Sequence, residues 1–337
     1  MAAKSRDLGP VSTLILAMAA CLAASEAGAF EPPRFQWTLS PAERARLIFL
    51  QGIAAVYVFT LGAVLGSFLN VVIYRLPRGL NIVRPRSRCP ACATPIETRD
   101  NLPVLGWLLL RGKCRICGGP ISPRYPLVEA AIGGLLLLLC WFEVRLGGVN
   151  LPNWTPAPLD DLMILSWRMP WGNLLMAGYH AWLLITLFVA MFIQADGLRV
   201  PAILVRLALA VGLLLPFAFA WLRPVSAWDV ASSGILMAGI DGLAGAHVGL
   251  VCGGCLAVLV TRTASDGRRS LVYATLLIGV FLGWQAAATI SLVCVIPLLL
   301  FRRTDIPPLL WPTLFAWVFV PFWKPIYEFT TKVILRI

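Results

Sequence analysis

Long apolar stretches separated by short polar segments make up most of this chain. A helix needs about 20 mostly apolar residues to cross a bilayer core of about 30 Å. The stretches that reach or approach this length are 11–28, 47–74, 127–148, 172–194, 202–221, 233–260, 271–301 and 308–322. This pattern predicts an all-α polytopic membrane protein of about seven to eight transmembrane helices, with a small polar module inserted between helices.

Two of the stretches need a separate interpretation. Stretch 11–28 follows Lys4 and Arg6 and ends in small residues, so residues 1–29 are either a cleaved signal peptide or a first transmembrane helix. As a single helix, stretch 271–301 would be about 45 Å long at 1.5 Å per residue, which is too long for one crossing without strong tilt. Gly279 and Gly283 offer a break, and we therefore predict two helical pieces.

The polar segments divide the chain into regions. We predict an N-terminal region at 47–148 that contains a polar loop at 76–126, and a C-terminal membrane domain at 172–322. The tail at 323–337 places charged residues between apolar ones, which predicts an amphipathic helix at the membrane interface.

Composition excludes a soluble globular protein, because 59% of the residues are hydrophobic and only 13% are charged. The net charge of +12 is concentrated in loop 76–126, and a second basic cluster lies in 261–270. In a membrane protein, basic loops indicate the cytoplasmic side and proximity to anionic lipid. The predicted partner of this charge is the lipid bilayer and not a nucleic acid.

Four cysteines in the basic loop form two Cys-x-x-Cys knuckles, Cys89 with Cys92 and Cys114 with Cys117. Cytoplasmic thiols stay reduced, so this spacing favours a tetrahedral zinc site. Four thiolates leave no open coordination position, which predicts a structural metal. Two alternatives remain: the four cysteines have no shared role, or one knuckle is a redox pair. A third pair, Cys252 and Cys255, lies among glycines in an apolar stretch and is interpreted as helix packing.

Several segments around these knuckles form a specific combination. They are residues 62–78 (GAVLGSFLNVVIYRLPR), residues 100–107 (DNLPVLGW) between the knuckles, and residues 121–129 (ISPRYPLVE). Together with the knuckles they resemble the N-terminal part of bacterial type IV prepilin peptidases over about 70 residues. Residues 279–285 (GVFLGWQ) are similar to a segment of the same family's C-terminal peptidase half.

The resemblance implies a multi-pass protein of the bacterial inner membrane with its four-cysteine loop in the cytoplasm. Members of the family cleave the leader of type IV prepilins or type II secretion pseudopilins, and many then methylate the new N-terminus with S-adenosylmethionine. The resemblance also implies that prepilins or pseudopilins are partners of the chain. Leader cleavage resembles aspartic-protease chemistry, in which two carboxylates share a proton and activate a water molecule.

The two positions that align with the family's catalytic aspartates carry other residues, Gln194 and Leu271. Asp196 and Asp266 lie within a few residues of them and are the candidates for a displaced catalytic pair. Two hypotheses follow. In the first, the chain is an enzyme, either an active peptidase with a relocated aspartate pair or a protein that retains only methyl transfer. In the second, it is a non-catalytic, zinc-stapled scaffold that binds pilin-like or secretion-machinery partners.

Ionisable residues within the apolar stretches include Arg206, Asp241 and His247. Such groups are costly in a bilayer and tend to face protein or water, so either a structural or a catalytic role fits them. Glu129 follows Pro126 at the start of a predicted helix, where an acidic residue is favoured by the helix dipole. A binding role is the alternative for Glu129.

Overall fold

The computed structural model describes residues 40–84, 87–89, 91–154, 170–223, 225, 235–259, 265–301 and 306–334. The predicted segment 1–29 lies outside the described residues. Within the described part, the secondary structure is helical apart from two isolated β-bridges next to the cysteines. The all-α prediction is therefore confirmed.

Ten α-helices follow one another along the described residues. They are α1 (Pro41–Arg75), α2 (Leu105–Leu109), α3 (Arg124–Leu139), α4 (Trp171–Ala195), α5 (Ala202–Ala218), α6 (Ile235–Leu259), α7 (Ser265–Leu282), α8 (Trp284–Leu300), α9 (Leu310–Phe319) and α10 (Trp323–Ile334). A π-helical segment, Cys140–Arg145, continues α3.

Four helical segments are long and apolar enough to cross a membrane: Pro41–Arg78, Arg124–Arg145, Trp171–Ala195 and Gly239–Leu259. Helices α5, α8 and α9 are shorter apolar helices. This distribution agrees with the predicted polytopic architecture and makes the chain a multi-pass membrane protein.

Helix α1 begins with a complete capping box. The Ser40 hydroxyl accepts the backbone N–H of Glu43 at 3.3 Å, and the Glu43 carboxylate accepts the backbone N–H of Ser40 at 2.8 Å. Pro41 occupies the first helical position, where its missing N–H costs no hydrogen bond. The helix ends in a short 3₁₀ turn, after which Gly79 turns the chain with a φ of +66°. The polar loop begins at this turn.

Glycines bring α1 and α3 into close contact. A Cβ atom built on Gly62 would lie 2.7 Å from the Cα of Gly133, and one built on Gly66 would lie 2.7 Å from the Cα of Glu129. Real Cβ contacts are not this short, so the two backbones approach only because side chains are absent. This contact holds together the two helices that flank the polar loop.

The predicted break in stretch 271–301 is confirmed. Helix α7 ends at Leu282 and α8 begins at Trp284, and Gly283 between them has a φ of +90°. A positive φ of this size is open to glycine and strained for other residues.

Helix α7 also packs along α6, where Gly249 and Gly253 face α7 residues. The packing interpretation of the neighbouring Cys252 agrees with this contact.

A buried polar cluster joins the end of α3 to α4. The carboxylate of Glu143 lies 2.8 Å from Nδ1 of His180, and both side chains are fully buried. Asn173 donates to the backbone carbonyl of Glu143 at 2.6 Å, and Asn150 donates to the carbonyl of Val320 at 3.0 Å. Asn150 also donates to the Glu143 carboxylate at 3.4 Å, so the cluster ties α4 and the end of α9 to the π-helical segment.

The other ionisable residues noted in the apolar stretches do not form one site. Asp241 is buried, and a side chain on its neighbour Gly242 would collide with the guanidinium of Arg223, which is also buried. Arg206 and His247 are exposed on α5 and α6. The structure thus separates His247 from Asp241, as their spacing of six residues suggested.

We expect Gly66→Leu to force α1 and α3 apart and to lower the free energy of unfolding by about 1–3 kcal/mol, the usual cost of overpacking. The matched control is Gly52→Leu, because nothing lies within 4 Å of a Cβ built on Gly52. Thermal unfolding in detergent measures both variants. Equal unfolding temperatures for the two variants would contradict the glycine contact.

We expect Glu143→Leu or His180→Leu alone to lower the free energy of unfolding by about 3–5 kcal/mol, because each leaves a buried ionisable partner uncompensated. The double variant removes both polar groups and should be less destabilised than either single variant. The same thermal unfolding experiment applies. If the two single effects simply add, the Glu143 and His180 side chains do not form a coupled pair.

Candidate functional site

The first knuckle is a tight turn closed by backbone hydrogen bonds. The N–H of Cys89 donates to the carbonyl of Thr94 at 2.9 Å, and the N–H of Ala93 donates to the carbonyl of Cys89 at 2.9 Å. An antiparallel bridge between Arg88 and Pro95 closes its base. Ala93 adopts a φ of +57°, a left-handed conformation that is uncommon for a residue with a side chain.

The second knuckle repeats this geometry. The N–H of Cys114 donates to the carbonyl of Gly119 at 2.8 Å, and the N–H of Gly118 donates to the carbonyl of Cys114 at 2.9 Å. A bridge between Lys113 and Pro120 closes its base, and Gly118 has a φ of +67°. Gly118 therefore occupies the position that Ala93 holds in the first knuckle.

The sequence contains a short repeat that corresponds to this shared geometry. Residues 89–96 (CPACATPI) and 114–121 (CRICGGPI) are identical at both cysteines, at the proline and at the final isoleucine. The prediction of a metal site used only the cysteine spacing and did not include this longer repeat. The residues that the two knuckles share outside the cysteines predict two structurally equivalent turns.

The two knuckles bring all four sulfurs together. The Sγ atoms of the four cysteines lie within 4.8 Å of one another, and those of Cys89 and Cys117 are 3.8 Å apart. Four sulfurs about 2.3 Å from a tetrahedral zinc ion are separated by about 3.8 Å, so the cluster has the dimensions of such a site. All four are free thiols, and Cys89 is buried. The group can hold a metal ion.

Hydrogen-bond donors near the sulfurs favour thiolates at two positions. The hydroxyl and then the backbone N–H of Thr94 lower the pKa of Cys92 to about 6. The backbone N–H of Cys117 lowers the pKa of Cys114. At Cys117 the Gly119 N–H acts in the same direction, but the neighbouring sulfurs, Cys92 first, raise its pKa to about 11. A cation among the sulfurs would remove that mutual repulsion, because it binds all four as thiolates.

Glu129 fixes the loop to α3. Its carboxylate accepts the backbone N–H of Val104 at 2.6 Å, although 25 residues separate the two. Val104 has a φ of +62°, which for a β-branched residue is a strained conformation costing about 1–3 kcal/mol. Glu129 is buried, so the structure places it as the anchor of this turn.

Further contacts join the segment between the knuckles to the knuckles themselves. Arg115 forms a two-pronged ion pair with Asp100, with distances of 2.6 and 2.8 Å. The indole N–H of Trp107 donates to the carbonyl of Ile121 at 2.9 Å. Gly106 packs directly against the carbonyl of Asp100, where a side chain would not fit. The loop is therefore a folded module.

The two candidate catalytic aspartates each have an arginine partner. Asp196 follows the last residue of α4 and pairs with Arg124 at the start of α3, with one contact at 3.0 Å. Asp266 lies in the first turn of α7 and accepts from Nε of Arg199 at 2.8 Å. Both carboxylates thus take part in ion pairs that connect separate segments of the chain.

Gln194 and Leu271, which the resemblance aligns with the family's catalytic aspartates, have structural contacts. The side-chain oxygen of Gln194 accepts the backbone N–H of Leu309 at 2.9 Å and so fixes the approach to α9. The side chain of Leu271 is fully buried in α7. Neither residue carries an ionisable group, so neither can act as the base of a carboxylate pair.

Together the fold and the four-cysteine loop define a helical multi-pass membrane protein. Between its first two described spanning helices lies a module that could hold a metal ion. The family description "Bacterial Peptidase A24 N-terminal domain" matches residues 60–143. This is the part of the chain that contains the α1–α3 contact and the cysteine module. This match confirms the resemblance of the N-terminal region to bacterial prepilin peptidases.

Curated relatives match about a quarter to a third of the chain. A prepilin leader peptidase/N-methyltransferase of Myxococcus xanthus (strain DK1622) is 48% identical over 116 residues, covering 34% of this chain and 32% of the relative. That of Klebsiella pneumoniae is 49% identical over 106 residues, covering 30% and 45%. That of Aeromonas hydrophila is 37% identical over 158 residues, covering 35% and 53%. The matches thus span from about a third to about half of the relatives' length, and no solved structure matches significantly.

We expect the purified protein to contain one zinc ion per chain and to lose it in the double variant Cys89→Ser and Cys114→Ser, because each knuckle then supplies only one thiolate. Elemental analysis by mass spectrometry measures the metal. The matched control, Cys252→Ser with Cys255→Ser, should keep it. Unchanged zinc in the knuckle variant would overturn the four-thiolate assignment.

Proposed function

We propose that this chain is a membrane protein that engages prepilin-type or pseudopilin-type substrates through its N-terminal domain and does not cleave their leaders by two-aspartate chemistry. The observation that carries this proposal is the contrast between the two halves of the chain. The family match covers residues 60–143. The positions that the resemblance aligns with the family's catalytic aspartates carry Gln194 and Leu271.

The ion pairs of the remaining aspartates support the second part of the proposal. A proton-sharing pair requires two carboxylates that face each other, since their mutual repulsion keeps one of them protonated. Asp196 pairs with Arg124, and Asp266 with Arg199. The contact that the structure gives each carboxylate is therefore with an arginine and not with the other aspartate. These aspartates act as electrostatic ties between helices.

Structural zinc in the cysteine module is part of the proposal. Zn²⁺ bound by Cys89, Cys92, Cys114 and Cys117 would have no open position for water or substrate, so it would stabilise the loop and take no part in a reaction. The loop would lie on the cytoplasmic side of the bacterial inner membrane, where prepilin leaders are located before processing. The chain would then present a folded, metal-stapled surface to its substrate in type IV pilus or type II secretion systems.

Methyl transfer is a second candidate function. The name of these relatives includes an N-methyltransferase activity, and their matches cover about a third of this chain. Any activity carried by residues 60–143 is unaffected by the replacements at Gln194 and Leu271, which lie outside that range. S-adenosylmethionine would be the methyl donor. A non-catalytic scaffold that binds pilin-like or secretion-machinery partners is the remaining alternative.

One experiment separates these functions. The full chain in detergent or nanodiscs is incubated with a prepilin-type peptide and, separately, with a leader-free peptide and S-adenosylmethionine, and the peptide masses are measured. We expect binding of the prepilin-type peptide without leader removal. A mass increase of one methyl group would establish methyl transfer, and binding alone would favour the scaffold.

Leader removal would contradict the proposal. If it is lost in Asp196→Asn or Asp266→Asn but retained in the control Glu97→Gln, the relocated aspartate pair is the catalytic site. Glu97 is a suitable control because it is an exposed carboxylate that also pairs with an arginine, Arg99. Absence of any binding to prepilin-type peptides would reject the substrate class.

A further inference from the structure

The hydrogen bond between Val104 and Glu129 fixes the depth of α2. Glu129 lies five residues after Arg124, the first residue of a membrane-spanning segment. At 1.5 Å per residue it is about 7.5 Å along that helix. Helix α2 begins immediately after Val104, so its start lies beside the second turn of a spanning helix and not beyond the end of that helix.

Contacts on the α1 side support this depth. Gly66 of α1 packs against the backbone of Glu129, and the Asn70 amide donates to the carbonyl of Tyr125 at 3.1 Å. The strained turn at Val104 therefore lies where α1 and α3 approach each other, near the ends of two helices that cross the membrane. The segment that follows the turn leaves this junction at the level of the bilayer surface.

The outward face of this segment is apolar. Its exposed side chains are Leu102, Leu105, Leu108 and Leu109, of which Leu109 is 74% exposed. Four leucines projecting from so short a segment are unfavourable against water. Beside a bilayer, the same side chains can enter the apolar region.

The charges that follow complement an anionic surface. Arg111 and Lys113 come directly after the leucines and are exposed. The nearby acidic groups, Glu97 and Asp100, are paired with Arg99 and Arg115. The segment therefore presents leucines followed by free positive charge, the arrangement of an interfacial anchor on anionic lipid.

We propose that residues 102–113 form an interfacial anchor that inserts its leucines into the bilayer surface and places Arg111 and Lys113 at anionic lipid phosphates. The anchor would hold the cysteine module against the membrane. This inference concerns lipid and is independent of any enzymatic or substrate-binding function.

Spin-label accessibility tests the anchor in the full chain reconstituted in nanodiscs that contain phosphatidylglycerol. A noncanonical amino acid carries the label at position 108 or 109, which leaves the cysteines unmodified. Collision with oxygen reports lipid exposure, and collision with a soluble nickel chelate reports water exposure. Leu61, an exposed residue within the α1 span, is the lipid control, and Glu97 is the water control.

We expect labels at 108 and 109 to resemble the label at Leu61, with oxygen collisions exceeding nickel collisions severalfold. Labels that resemble the one at Glu97 would overturn the proposal. Labels shielded from both reagents would also overturn it, because the leucines would then pack on protein, such as a second copy of the chain.

Lipid charge provides a second test. We expect the oxygen preference at position 109 to increase when neutral nanodiscs are replaced by anionic ones. This increase should disappear in the double variant Arg111→Gln and Lys113→Gln, while zinc content stays unchanged. If the variant still responds to anionic lipid as the wild type does, these two residues do not contact lipid phosphates.

Discussion

The close contact between α1 and α3 is the constraint on which the N-terminal half of the molecule depends. Because Gly62, Gly66 and Gly133 lack side chains, the two helices approach until their backbones touch. This places the exit of α1 and the entry of α3 side by side. The intervening chain must then leave and return at nearly the same point, and a compact module built on the four cysteines suits such a connection better than an extended loop.

Polar groups in the membrane part are stabilised in pairs. Glu143 pairs with His180, Asp196 with Arg124, and Asp266 with Arg199. Each pair joins segments that are far apart in sequence, so these pairs connect parts of the chain that otherwise contact one another mainly through apolar side chains. Such connectors need fixed geometry, whereas an acid–base site needs groups that exchange protons. The two uses compete for the same carboxylates.

The sequence predicted the features that depend on local pattern. Apolar length located the spanning helices, Gly283 marked the break between α7 and α8, and the cysteine spacing marked the four-sulfur cluster. Each of these signals lies within one segment. Local pattern therefore sufficed for the fold class and for the metal-binding group.

Local sequence patterns did not predict the long-range contacts. Glu143 and His180 are single polar residues in apolar helices, and nothing in either segment indicates that the two meet across 37 positions. Glu129 holds the turn at Val104, and this contact depends on the backbone conformation of Val104. The conformational preference of valine does not predict that conformation. Asp196 was a candidate catalytic residue because it lies close to Gln194 in the sequence. Its partner Arg124 lies 72 residues earlier in the chain, so the residues around Asp196 do not predict the ion pair.

The two equivalent knuckles also affect how the membrane part is assembled. The cysteine pairs lie in different halves of the connection between α1 and α3, so a metal ion bound by both would act as a cross-link that shortens this connection. Shorter connections lose less entropy when their ends are brought together. With metal bound, α1 and α3 would behave during membrane insertion as a helical hairpin with a tight turn, and the timing of metal loading would determine when this hairpin closes.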